Sequence, residues 1–142
     1  MSAYVPSVLQ RQIRDRFANC CAYCRTVEAL TVSTFEFEHI VPLSAGGATV
    51  FENLCLSCPS CNRHKASRQT AVDPETQVVT PLFHPHQQRW SDHFTWNAEA
   101  TEVIGLTAIG RATVGTLRMN RSQMTRVRRM WVKLGEHPPD IG

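Results

Sequence analysis

Residues Phe35–Lys65 read FEFEHIVPLSAGGATVFENLCLSCPSCNRHK. The stretch holds an acidic residue beside a histidine (Glu38-His39), a Gly46-Gly47 pair, an Asn53-Leu54 pair, and Cys58-Pro-Ser-Cys61 with Asn62 directly after the second cysteine. Leu30 to His39 alternates in part, with Val32, Thr34 and Glu36 on one face and Phe35 and Phe37 on the other, so a short strand is predicted. Gly46-Gly47 suits a wide turn with positive φ between Pro42 and Thr49. Phe51 to Ser57 is expected to return as a second extended segment, and a short helix to run from about Pro59 to Arg68. The order is strand, loop, strand, helix.

A second pair, Cys21-Ala-Tyr-Cys24, lies just upstream of this stretch. The Cys-x-x-Cys spacing lets both thiolates reach one ion, because the tight turn between them brings their side chains together. Cys20 also permits a Cys20–Cys24 pair, and Cys55, Cys58 and Cys61 form overlapping pairs. The expected ligands are Cys21, Cys24, Cys58 and Cys61, with Cys20 a small buried hydrophobe and Cys55 facing the core. Two such pairs around a hairpin point to structural zinc. Four protein ligands close the coordination sphere, so this ion would brace the fold and not activate water.

These motifs resemble the ββα-metal nuclease motif of HNH endonucleases, in the form braced by a four-cysteine zinc site. The resemblance is strong over about residues 17–68. The tail, with PLFHPHQQRWSDHFTW and GRATVGTLRMNR, is similar to that of a bacterial group of HNH proteins. The resemblance implies an α+β fold with a ββα-metal (His-Me finger) core, and hydrolysis of phosphodiester bonds in DNA. His39 is the candidate general base, since imidazole titrates near neutral pH. Asn53 stands at the position that fixes the loop carrying the base. Glu38 and Asn62 stand at the positions that hold one divalent ion on the phosphate and the leaving 3′ oxygen. Oxygen donors suit magnesium or manganese, with nickel or zinc as further options. The family more usually has aspartate before the base, and Glu38 departs from that by one methylene. His64, two residues past Asn62, lies roughly opposite it on a helix and is expected at the surface with Arg63 and Lys65, near phosphate.

Outward from the motif, Tyr4 to Asn19 reads as a packing helix, with Pro6 in its first turn and Val8, Leu9, Ile13 and Phe17 at helical spacing. Arg68 to Gln77 reads as a linker, and Gln77 to Phe83 as a short strand. Arg89 to Thr107 suggests a hairpin around Asn97-Ala-Glu-Ala, and Gly110 to Leu117 one helix. A last helix is expected to begin near Asn120, in a capping box with Gln123. Its stripe of Met124, Val127, Trp131 and Leu134 faces the core. His84, His86 and His93, set among aromatics, read as packing or surface residues.

At 142 residues the chain is one domain, divided here into a nuclease core with its N-terminal helix (1–68) and an extension packed on it (69–142). Hydrophobic residues make up 42%, enough for a buried core and against wholesale disorder. Without a long apolar run or a signal-like start, no membrane association and a cytoplasmic location are expected. Net charge is only +3, but Val103–Gly135 carries seven basic residues and no acidic one. A one-sign field attracts polyanions, so nucleic acid, above all double-stranded DNA, is the expected partner. Arg63, Lys65, Arg128 and Arg129 are the candidate contacts, the last two on a basic helix near 120–134. Two competing readings are a zinc-braced nucleic-acid-binding module without cleavage and an RNA-directed nuclease.

Overall fold

The computed structural model describes residues 4–141. Helix α1 (Ser7–Arg16) follows Pro6 and buries Ile13. It stops where Ala18 and Asn19 turn to positive φ, the latter a residue type that tolerates this region. The chain then enters the first cysteine knuckle. Cys20 bridges to Val27, while Cys21 N donates to Thr26 O at 2.9 Å and Arg25 N to Cys21 O at 3.0 Å.

Strand β1 (Glu36–His39) pairs antiparallel with β2 (Leu54–Ser57), and His39 stands opposite Leu54. Helix α2 (Pro59–Lys65) follows at once, with Pro59 in its first turn. β1 is shorter than the segment expected from Leu30. Glu28 accepts from Arg14 Nε and Nη2 at 3.1 and 3.0 Å and from Phe35 N at 2.7 Å, which holds Glu28–Leu30 in a 3-10 turn and delays the strand.

The segment read as a linker contains strand β3 (Thr70–Val72), paired with β4 (Val79–Pro81). The turn between them is tied by Asp73, which accepts from Glu75 N, Thr76 N and Thr76 Oγ1 and forms a two-point ion pair with Arg111 at 3.0 and 2.9 Å. After a short helix α3 (Trp90–His93), β5 (Phe94–Trp96) and β6 (Val103–Gly105) make the expected hairpin. Helix α4 (Ala108–Thr116) begins on Thr107, whose hydroxyl accepts from Gly110 N at 3.1 Å. Helix α5 (Ser122–Lys133) has no side-chain cap. Asn120 is spent elsewhere, exchanging hydrogen bonds with Val103 N and O at 2.8 Å each, so the expected capping box does not form.

One apolar core joins the two parts: Ile13, Tyr23, Leu54 and Leu56 belong to the same buried cluster as Phe83, Trp90, Phe94 and Leu117. Polar contacts fasten the seam. Trp90 Nε1 donates to Tyr23 O at 2.8 Å, and His86 Nε2 donates to Leu54 O at 2.7 Å, its ring lying between Phe17 and Phe51. No described helix is long and apolar enough to cross a membrane.

Candidate active site and metal centre

The Sγ atoms of Cys21, Cys24, Cys58 and Cys61 all lie within 4.8 Å of one another, and all four residues are buried. A tetrahedron of Zn–S bonds of about 2.3 Å has sulfur–sulfur edges of about 3.8 Å. The Cys24–Cys58 separation is 3.8 Å. The donor set therefore fits a closed zinc site. Cys58 stands at the start of α2, and its sulfur accepts from Cys61 N at 3.4 Å. Hydrogen bonding among the sulfurs pulls the Cys24 thiol well down, while burial pushes Cys21 well up and hydrogen bonds from Cys21, Cys24 and Cys58 push Cys61 up. Cys20 and Cys55 are buried outside the cluster. Cys20 Sγ contacts Ala18 O, and Cys55 Sγ faces Glu38 at 3.8 Å.

A separate shallow groove lies between β1, the loop after it and α2. His39, Glu38 and Asn62 all line it, together with Pro42, Ser44 and Ala66. The loop is held by Asn53. Its Oδ1 accepts from Val41 N at 2.8 Å, and its Nδ2 donates to Val41 O at 3.0 Å and Ala48 O at 2.9 Å. The backbone packs so closely here that a Cβ on Gly47 would sit 1.8 Å from Val41 O, so only glycine fits. Thr49 Oγ1, from the same loop, meets His39 Nε2 at 2.9 Å and fixes the ring. Burial lowers the His39 imidazole below its ordinary value, which keeps it neutral and able to accept a proton near neutral pH.

Glu38 is buried at 5% exposure, deeper than its expected role as an ion ligand suggests. Lys65 Nζ lies 2.8 Å from its Oε1, and the Tyr23 hydroxyl donates to the same oxygen at 3.1 Å. Burial pushes the Glu38 carboxyl up, against the pull of Lys65. Burial also raises Tyr23 and Cys55 well above their ordinary values, so both stay protonated and donate to it. Oε2 meets only the Cys55 thiol, and a carboxylate oxygen carries two lone pairs. Asn62 Nδ2 donates to Glu36, an exposed carboxylate, and Asn62 Oδ1 takes no partner among the described residues. Glu38 Oε2 and Asn62 Oδ1 thus keep acceptor capacity, and oxygen donors are the type that suits a hard divalent cation.

Tyr23, Thr49 and Glu36 were not singled out in the sequence. Tyr23 had a signal in its place between two zinc-type cysteines, from which its hydroxyl reaches Glu38, the residue beside His39. A lone threonine and a strand glutamate carry none.

Two positional expectations are corrected. Lys65 is not a surface cation: it is 1% exposed, spent on Glu38 and on Ile40 O at 3.0 Å. Arg128 is fully buried and donates to Thr101 O, Asn120 Oδ1 and Met119 O, with its guanidinium 5.3 Å from the Trp96 ring centre. It falls in the same stripe as Met124 and Trp131, because four and three residues separate it from them on the helix. Arg63 and Arg129 are exposed, as expected. His64 is half-buried, with Nδ1 2.8 Å from Ser60 O.

Residues 21–68 match the family model described as HNH endonuclease. No curated protein and no solved structure gives a significant match. The matched segment spans both cysteine pairs, the hairpin and α2, so this part of the chain is similar to the HNH endonuclease domain. Residues 69–142 lie outside the match.

Proposed function

We propose that this protein is a metal-dependent HNH endonuclease that hydrolyses phosphodiester bonds of DNA. The observation that carries this reading is that His39 and Asn62, from different elements, border one groove. His39 accepts the proton of the attacking water, with its ring held by Thr49 and its loop held by Asn53. Asn62 Oδ1 and Glu38 Oε2 would hold one magnesium or manganese ion, which when bound neutralises phosphate charge and stabilises the departing oxygen. Tyr23 and Lys65 hold Glu38 in place. The four-cysteine zinc braces α2 against the first knuckle and takes no part in the chemistry.

The test is plasmid nicking with magnesium or manganese, comparing the wild type with His39→Ala at equal zinc content. Cleavage by the wild type that falls by at least about 100-fold in the variant is the expected result, in the range of a lost general base. Equal cleavage by both proteins contradicts the assignment. The tight Glu38–Lys65 pair favours one second reading, a zinc-braced binding module without cleavage, and wild-type protein that binds duplex DNA but never nicks it would establish that instead.

A further inference from the structure

The groove that holds His39 and Asn62 does not end at them. At Ala66 it meets a second groove, formed by the end of α2, β3 and the end of α4, where Arg63, His64, Arg68 and Arg118 form the wall. Arg63 and His64 also line a third groove, which runs past the start of α2 to α5 and carries Arg121 on its side. Neither the second nor the third groove is lined by any aspartate or glutamate. Arg63 and Arg118 are exposed and Arg121 is half-buried. No side-chain partner is found for these three among the described residues. Arg68 gives one N–H to His64 O at 3.1 Å and keeps the rest.

Unneutralised guanidiniums in series present forked donors suited to phosphate oxygens. A single small anion would need them gathered at one point, whereas here they are strung along connected grooves. That arrangement matches a polymer with a charge at every step. We infer that Arg63, Arg68, Arg118 and Arg121 form a track for nucleic-acid phosphates, leading the backbone from the cleavage groove onto the C-terminal extension. The direction of the track rests on the nuclease reading of the His39 groove. Arg118 and Arg121 lie outside the HNH-matched segment, so the extension supplies half of the track.

The face of α5 turned to the third groove is marked by Gln123, Met124, Val127 and Trp131. Arg129 is two residues from both Val127 and Trp131 and so points away, and neither Arg129 nor Arg126 lines any of the three grooves. These two exposed arginines are the internal control.

The test measures binding of a short labelled duplex DNA, and of the matching duplex RNA, to full-length His39→Ala protein over a salt series. Arg118→Ala with Arg121→Ala should lower the slope of log affinity against log salt by about 1.8, two phosphate contacts at about 0.9 each. Arg63→Ala with Arg68→Ala should act alike, while Arg126→Ala with Arg129→Ala leaves the slope unchanged. All variants should melt as the parent does. The duplex that shows the drop identifies the nucleic acid the track carries. An unchanged slope in the track pairs, an equal drop in the control pair, or no binding of either duplex overturns the proposal. Nicking activity is scored separately, so the track can fail in an active nuclease or hold in a protein that never cleaves.

Discussion

The HNH segment and the C-terminal extension each bury a cation, and they partner it in different ways, Arg128 keeping its Nε without a hydrogen bond. Lys65, at the end of α2, is paired with the Glu38 carboxylate and Ile40 O. Arg128, in the middle of α5, has no carboxylate partner and donates to two backbone carbonyls and an amide oxygen. Burial lowers its pKa, and the zinc-type cysteines, Cys24 first, pull in the opposite direction. Lys65 therefore belongs to the His39 groove, holding Glu38 in place. Arg128 belongs to the architecture, joining α5 to the β5–β6 hairpin. A basic residue on a helix is a nucleic-acid contact only if the fold leaves it outside.

The largest effect that would break this comparison comes from the sulfur cluster which both parts pack around. Cys58→Ser should lose zinc and the cooperative melting transition together, because structural zinc binding in small domains is worth about 10 kcal/mol or more. Elemental analysis beside a thermal melt checks it. A variant that keeps its zinc and melts normally would transfer the ligand role to Cys55.

Next are the two cations themselves. Lys65→Met strands a buried carboxylate and should cost about 3–5 kcal/mol. Arg128→Met strands only neutral oxygens and should cost less, about 2–3 kcal/mol. Denaturant unfolding of both variants measures the difference. If the order is reversed, Arg128 is the more important partner, and its counter-charge is the zinc–thiolate cluster. Arg128→Met should also leave the salt dependence of nucleic-acid binding untouched.

A smaller effect should appear with pH. Protonation of His39 removes the base, and its pKa is lowered by burial. Nicking should therefore persist as pH falls to the ordinary histidine value of about 6.5 and be lost below it. A pH–rate profile that fails well above that value would mean another group limits the rate. Smallest of all is the Asp73–Arg111 pair in the extension. The Arg111 guanidinium and the Thr76 hydroxyl hold Asp73 far below the unfolded value of 3.8. A depressed carboxyl stabilises the fold above its unfolded pKa, and that contribution is lost as pH falls below about 3.8. Arg111→Ala should lower stability near neutrality, where the paired carboxylate contributes, and flatten the stability–pH curve in that acid range.

The hairpin, α2 and the four zinc-type cysteines were legible because their signals are local. Cys-x-x-Cys fixes its own geometry, and Gly46-Gly47 and Pro59 set the turn and the helix start. Asn53 was placed by the family resemblance, and it is hydrogen-bonded to the loop that follows His39. What was hidden depends on contacts distant in sequence. β3 has three residues, two of them exposed, and its turn is stabilised by Arg111 thirty-eight positions away. The capping box failed because Asn120 finds a better partner in Val103. Lys65 and Arg128 read as surface charges because periodicity cannot see a carboxylate on a neighbouring strand or carbonyls from a hairpin.

The central claim is that His39 and Asn62 face one phosphate-sized groove able to hold a hard cation. Crystals of the His39→Ala protein with duplex DNA and manganese, recorded for anomalous scattering at the manganese edge, test it most directly. The account predicts a manganese peak in contact with Asn62 Oδ1 and Glu38, with a backbone phosphate on its open side. A peak held elsewhere, or DNA bound with its phosphates away from that groove, would contradict it.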